Sequence, residues 1–223
     1  MKYYPVNLDI RRQTCLVVGG GAVGTRKVKT LLDCGAAVTV VSPKVTNPLC
    51  ALAEENRISL KQRPYQASDL DGVFLVIGAT DNMDLNRTIH NDARKQGKLC
   101  NIADQPDLCN FILPSIIERG DLIIAISTSG KSPAFARRLR KQLSAQFGPE
   151  YAEFLKLMGA VRKILLERTR DPEAHRRVFE SLIDRGLLKC IQDGDRARID
   201  SMLISVLGSG NGYDWVSEHG YDI

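Results

Sequence analysis

The sequence predicts an α/β protein: a parallel sheet first, a short strand-and-helix region second, and an all-helical C-terminal region third. Three observations predict it. A β-like run at 14–18 ends in Gly19-Gly20-Gly21 and opens directly into a helical stretch. The apolar run VFLVIGA at 73–79 has the pattern of a central parallel strand covered on both faces. From Glu150 to about Leu207 the chain reads as helix throughout.

Each element follows from local pattern. TCLVV at 14–18 is a short buried strand. A helix is expected from about Ala22 to Cys34, with Gly35 as a left-handed cap just past its end. The β-branched run AVTVV at 37–41 is a second strand, interrupted by Ser42 and Pro43. Residues 45–55 suit a short helix whose start Pro48 delays, and RISLKQ at 57–62 suits an edge strand. A helix over 82–96 closes at Gly97, and LCNIA at 99–103 makes a fifth strand. Strands and helices in this order imply right-handed crossovers in one parallel sheet.

The pattern changes near residue 111, where Pro114 interrupts FILPSII and cannot sit inside a sheet. Residues 122–126 read as a strand. Ser132 and Pro133 make a good N-cap and first helical residue for a helix to about 146, which Gly148 and Pro149 break. Helices follow at 150–168, 172–185 and 194–206, with Gly186 and Gly194 marking two breaks. The glycine-rich end is expected to be a loose tail unless Trp215 docks it. The expected domains are 1–112 for the sheet, 113–148 for a dimerisation region and 149–223 for the helical remainder. The dimerisation reading rests on strand 122–126 and the stripe Phe135, Leu139, Leu143 and Phe147, which need more cover than a small region supplies.

Gly19-Gly20-Gly21-Ala22-Val23-Gly24 satisfies G-x-G-x-x-G between a strand and a helix, the context of a Rossmann dinucleotide site. Gly19 permits the tight turn, Gly21 lets a pyrophosphate approach the backbone, and Gly24 allows helix and strand to pack closely. The free N–H groups at the helix start then hold the phosphate. An acidic residue about 20 positions on commonly marks NAD. Here Ser42, Pro43 and Lys44 stand there instead, so the residues alone leave NAD and NADP both open.

Composition excludes several classes. Hydrophobic residues are 43% and charged residues 26%, which suits a soluble globular protein and not a disordered one. The net charge of +5 favours an anionic partner. No signal peptide pattern and no 18-residue apolar run occur, so neither export nor membrane insertion is expected. Six cysteines without paired or zinc-finger spacing suit a reducing cytoplasm. His90, His175 and His219 are scattered, and no tightly held structural metal is expected.

Five blocks then occur in one order: Gly19 to Val23 with Gly24-Thr25-Arg26-Lys27; Ala79-Thr80-Asp81; Asn101-Ile102-Ala103-Asp104; Phe111-Ile112-Leu113-Pro114-Ser115; and Ile126-Ser127-Thr128-Ser129-Gly130-Lys131-Ser132-Pro133. In them the sequence resembles the precorrin-2 dehydrogenases, the N-terminal module of siroheme synthases and its stand-alone relatives. The resemblance is strong over about 1–150 and loose beyond. It implies NAD-dependent oxidation of precorrin-2 to sirohydrochlorin in siroheme biosynthesis, by a homodimer. Many members also insert ferrous iron as sirohydrochlorin ferrochelatases and some do not, so that activity stays open. The chain is too short for the methyltransferase domain of fused siroheme synthases, so it is not expected to make precorrin-2 itself. Members often carry alanine for Gly24, valine for Ala103, and Ser or Gly where Thr128 and Ser129 stand here.

The resemblance puts nucleotide contacts on Gly21, Ala22, Val23, Ser42, Thr80 and Asp81, with Ile102 near the nicotinamide and Asn101 toward the substrate. It makes Asp104 the proton-handling residue and a support of iron insertion; by position alone Asp104 reads as a cap before Pro106. Asp81 also reads as a helix cap. Ser127, Thr128, Ser129, Gly130 and Lys131 form a donor-rich loop before a helix, suited to substrate carboxylates or to a plain turn. Lys131, Arg137, Arg138, Arg140 and Lys141 make a basic run without an acidic residue. It is either a solvated face or a rim that steers an acidic tetrapyrrole; without interleaved aromatics it does not suit nucleic acid. Two other functions compete. A non-catalytic NAD-sensing module would normally carry a basic recognition helix, and none precedes the first strand. A dehydrogenase of another metabolite would want a catalytic His, Tyr/Lys or Cys pattern in the second half, and no such pattern stands out.

Overall fold

A computed structural model of the chain describes residues 2–209 and 212. The chain divides into two units, Met1–Leu113 and Pro114–Ile223. The first is a Rossmann-type α/β unit. β1 (Thr14–Gly20), β2 (Ala37–Val45), β3 (Ile58–Lys61), β4 (Leu75–Gly78) and β5 (Leu99–Ile102) form one parallel sheet in the order β3-β2-β1-β4-β5. Between them run α1 (Ala22–Asp33), α2 (Asn47–Glu54) and α3 (Met83–Lys95), with a 3₁₀ turn at Ala67–Leu70 and another at Pro106–Leu108.

The sheet is buried on both faces, which is why β1 and β4 read as unbroken apolar runs. On one face Cys15, Val17, Val38 and Val40 pack under Val28 and Leu31 of α1 and Leu49 and Leu52 of α2. On the other, Leu16, Val18, Val76 and Ile102 pack with Ile89 and Ala93 of α3. β2 runs past Ser42 and Pro43 to Val45. Its pairing with β1 is regular only over 37–41 and resumes at Gly20–Val45, so Pro43 costs no ladder bond. α2 begins at Asn47 with Thr46 at the N-cap and Pro48 in the first turn, where proline is tolerated.

In the second unit, β6 (Ser115–Arg119) and β7 (Leu122–Ile126) form an antiparallel hairpin. β6 was not expected as a strand. Pro114 lies just before it, outside the ladder, and its alternation is short. α4 (Pro133–Ser144) packs Ala136, Leu139 and Leu143 with Ile117, Ile124 and Ile126. Phe135 stands off that face at 55% exposure, which corrects the expected stripe. α5 (Glu150–Arg168), α6 (Pro172–Asp184), α7 (Leu187–Asp193) and α8 (Arg196–Leu207) share one core around Leu157, Leu182, Leu187 and Leu203. α7 is an addition to the expected helices, bounded by left-handed Gly186 and Gly194. The expected tail with Trp215, and His219, lie outside the described residues.

Candidate functional site

The glycine turn is shaped by backbone proximity. Gly19 has φ +115°, and a Cβ there would lie 2.3 Å from the Ala79 carbonyl oxygen beyond β4. A Cβ on Gly24 would lie 2.0 Å from the Gly19 carbonyl oxygen, so helix and turn touch. Gly21 is different: a Cβ there would meet nothing within 4 Å. It is the N-cap of α1, contributes no side-chain cap, and no acidic residue lies in the first turn. The first turn of α1, whose amides have no partner within the helix, therefore starts beside open space at Gly21, with the positive end of the helix behind it. That cradle fits the pyrophosphate of a dinucleotide. Thr25 braces it, donating to the Gly21 carbonyl at 2.9 Å and sharing a 2.7 Å hydrogen bond with the Thr46 hydroxyl. An open groove of about 400 Å³ beside it is lined by Ala22, Thr25, Arg26, Lys29, Thr46 and Pro48.

The remaining positions sort by what their side chains already bind. Ser42 is buried, and its hydroxyl donates to the Lys44 carbonyl at 2.7 Å, so toward a ribose it can only accept. The Thr80 hydroxyl donates to Asn86 Oδ1 at 2.8 Å, and Asn86 Nδ2 donates back to the Thr80 carbonyl at 3.0 Å. Asn86 escaped the sequence reading; its only signal was a polar residue on the face of α3 that buries Ile89 and Ala93. Asp81 is exposed, and the cap of α3 is Asn82, which accepts from the Leu85 amide at 3.0 Å. Ile102 is 1% exposed and packs under α3. Asn101 points to the opposite face, where its Nδ2 donates to the Phe111 carbonyl at 3.0 Å.

Asp104 follows β5, exposed, with φ +59°. Few non-glycine residues occupy that region, and aspartate is among those that do. Val18, Gly78 and Ile102 are in register across β1, β4 and β5. The glycine turn and Asp104 thus both lie just past the same row of the sheet, two strand spacings or about 10 Å apart. This is the carboxyl edge, where open α/β sheets take their ligands.

Lys27 and Cys109 also belong here, and neither was singled out from sequence. Burial pushes the Lys27 ammonium down from its ordinary value, helped by Arg26 and opposed by Asp104 and Cys109. Cys109 Sγ accepts from the Ile102 amide at 3.1 Å and lies 3.1 Å from the Gln105 carbonyl oxygen. Burial pushes its thiol up, so it is the neutral member of the group.

In the second unit the polar loop largely satisfies itself. Ser127 Oγ accepts from the Ser129 amide at 3.1 Å, and Thr128 Oγ1 accepts from the Ser132 amide at 3.1 Å. Ser129 and Gly130 are left-handed, and Ser132 caps α4 by accepting from Phe135 at 3.2 Å. Lys131, Arg137, Arg138, Arg140 and Lys141 are exposed. His90 Nδ1 and His175 Nε2 each pair with a backbone carbonyl. Among the described residues, no group of three or more His, Cys, Asp or Glu is close enough to hold a metal ion. No described helix is long and apolar enough to cross a membrane.

Residues 6–115 match a family described as "Putative NAD(P)-binding", and residues 119–146 match "Sirohaem biosynthesis protein central". A siroheme synthase of Nitrosococcus oceani is 36% identical over 210 residues, covering 94% of this chain and 45% of that protein. The chain belongs to the siroheme synthase family. A second siroheme synthase, from Thioalkalivibrio sulfidiphilus, is 38% identical over 200 residues, covering 89% of this chain and 41% of its own length. The chain thus spans less than half the length of these siroheme synthases. Among solved structures, SirC, a precorrin-2 dehydrogenase, superposes with a TM-score of 0.72 at 28% identity, over 86% of this chain and 100% of SirC. As in the family, an NAD-binding domain occupies the first unit, over the turn and sheet edge described above.

Proposed function

We propose that this siroheme synthase family member oxidises precorrin-2 to sirohydrochlorin with NAD. The observation that carries the reading is the single row at the carboxyl edge, with an open dinucleotide cradle at one end and Asp104 at the other. Its likeness to the whole length of SirC supports it. Bound NAD supplies the hydride acceptor. Gly21 and the first amides of α1 hold its pyrophosphate, Ser42 accepts from the ribose, and Thr80, fixed by Asn86, borders the cofactor beside Asp81. Asp104 takes the proton that leaves with the hydride. The loop 127–131 and Arg137 receive the carboxylates of the acidic tetrapyrrole. NAD is preferred to NADP chiefly because the family resemblance implies it, with the lack of an arginine beside Ser42 as minor support.

Ferrous iron enters this reading as a substrate: its insertion into sirohydrochlorin releases two pyrrole protons, which Asp104 accepts one at a time and passes to water. The protein acts in the cytoplasm, which suits its six free cysteines, and as a homodimer built on residues 113–148.

An ultraviolet–visible assay of precorrin-2 turnover tests the reading. NAD-dependent formation of sirohydrochlorin is expected. No turnover with either cofactor would overturn the function, and an NADP preference of tenfold, about 1.4 kcal/mol, would overturn the cofactor choice. Adding ferrous iron to sirohydrochlorin in the same cuvette reads the second activity.

A further inference from the structure

β5 is an edge strand, so only one side of it meets another strand. On that side the Ala103 amide extends the pairing with β4 by donating to the Gly78 carbonyl at 2.8 Å. The alternate amides point off the edge, and the segment after the 3₁₀ turn Pro106–Leu108 meets them with side chains. The Cys100 amide donates to Asn110 Oδ1 at 2.8 Å, and the Ile102 amide donates to Cys109 Sγ at 3.1 Å. Asn110 secures the middle of the strand. Cys109 sits at its end, where the chain turns into Asp104.

The Gln105 amide donates to the Ile102 carbonyl at 3.2 Å and closes a four-residue turn with Asp104 as its third, left-handed residue. Turns with a left-handed third residue favour glycine or asparagine there, so the turn has to be held against the preference of an aspartate backbone. Cys109 grips both ends of it. Besides accepting from the Ile102 amide, its S–H has the Ile102 carbonyl at 3.3 Å and the Gln105 carbonyl at 3.1 Å in reach. Burial pushes the thiol up, so that proton is present to give.

We propose that Cys109 is a positioning residue for Asp104: its thiol, bound to Ile102 and Gln105, clamps the turn that holds Asp104 at the carboxyl edge. This rests on the reading of Asp104 given above. The thiol takes no proton from precorrin-2 and acts only through where the turn places the carboxylate. A shift of about 1 Å in a catalytic group can cost on the order of 10²-fold, so a loosened turn is read in kcat.

Substitutions at Cys109 and one amide test this. Cys109→Ser keeps a donor and an acceptor and should hold kcat for precorrin-2 oxidation within about threefold. Cys109→Val fills the space without the hydrogen bonds, and the extended backbone at 109 suits valine. It should lower kcat about tenfold while KM for NAD stays within about twofold. Cys109→Ala should repeat that loss and replaces Cys109→Val if the larger side chain does not fold. In an Asp104→Ala background the same substitution should cost less than about twofold more, because nothing is left to position. An undiminished kcat in Cys109→Val, or a further loss of about tenfold in the Asp104→Ala background, would overturn the proposal. The clamp itself has a readout without turnover. Hydrogen exchange of the Ile102 amide should quicken about tenfold in Cys109→Val and stay near the wild-type rate in Cys109→Ser. Equal exchange in all three proteins would overturn the clamp. Normal precorrin-2 oxidation by Asp104→Ala, with the amide still responding to Cys109→Val, would defeat the reading of Asp104 and the positioning role with it.

Discussion

Asp104 is held in a left-handed backbone conformation that costs an ordinary L-residue roughly 1–2 kcal/mol. A side chain kept there against that cost is a candidate for function. Asp104→Ala should lower kcat for precorrin-2 oxidation by about 10²–10⁴-fold and leave NAD affinity nearly unchanged. Near-normal oxidation by this variant would make Asp104 a turn residue. Asp104→Gly should be just as inactive yet about 1 kcal/mol more stable than Asp104→Ala in urea, because glycine accepts the positive φ. The glycine turn gives a second contrast. Gly21→Ala places a methyl in open space, so the fold should survive while the Kd for NAD, measured by calorimetry, rises about tenfold or more. Gly24→Ala places its methyl on the Gly19 carbonyl and should destabilise the fold itself. Equal melting temperatures for the two variants would contradict this assignment.

At the scale of elements, the edge strand β3 is tied down by one buried carboxylate. Asp69, in the first 3₁₀ turn, accepts from Arg63 at 2.6 and 2.8 Å, from Lys61 at 3.1 Å and from the Gln66 amide at 3.0 Å. The Arg63 guanidinium, with Gln66 and Lys61, outweighs burial and holds the carboxyl at about 2 against an ordinary 3.8. Because the folded value is the lower one, the stabilisation is complete above pH 4 and is lost as pH falls toward 2. Asp69→Asn should cost about 2 kcal/mol in urea unfolding at pH 7, and its difference from wild type should shrink between pH 4 and 2. A pH-independent difference would place the stabilisation elsewhere. This turn was not visible in the sequence, since nothing local pairs Asp69 with Arg63 and Lys61. β1, α1, β4, α3 and β5 were legible, because a buried parallel strand and a glycine-ended helix each leave a local pattern. β6 was hidden by its neighbour Pro114, and α7 is too short to show a helical period. At the site, glycine positions were legible because they obey backbone geometry. The partners were not: Ser42 turns to a backbone carbonyl two residues on, which no side-chain pattern marks, and Asn86 and Phe111 lie outside the motifs of Thr80 and Asn101.

Across the molecule, each unit closes a core of its own, yet the hairpin of the second keeps one apolar face uncovered. On β6 and β7 the outward residues are Ile116, 42% exposed, and Ile123, 52% exposed, with Ala125 opposite Ile116 and the exposed Glu118 opposite Ile123. If this face builds the proposed dimer, sedimentation of the wild type should give twice 24.7 kDa at micromolar concentration. Ile123→Lys should give a species near 24.7 kDa with unchanged helix content. A monomeric wild type, or a dimeric Ile123→Lys, would remove the hairpin from the interface.

On the ribosome, β1 emerges first and takes the centre of the sheet. Every later strand lands beside one already made: β2 and β4 on β1, β3 on β2, and β5 on β4. In this order each later apolar strand finds a neighbour already translated, which shortens the exposure that makes growing polypeptides prone to aggregate. β5 is the last strand to join, so Asp104 reaches the carboxyl edge only after the cradle for the dinucleotide is in place.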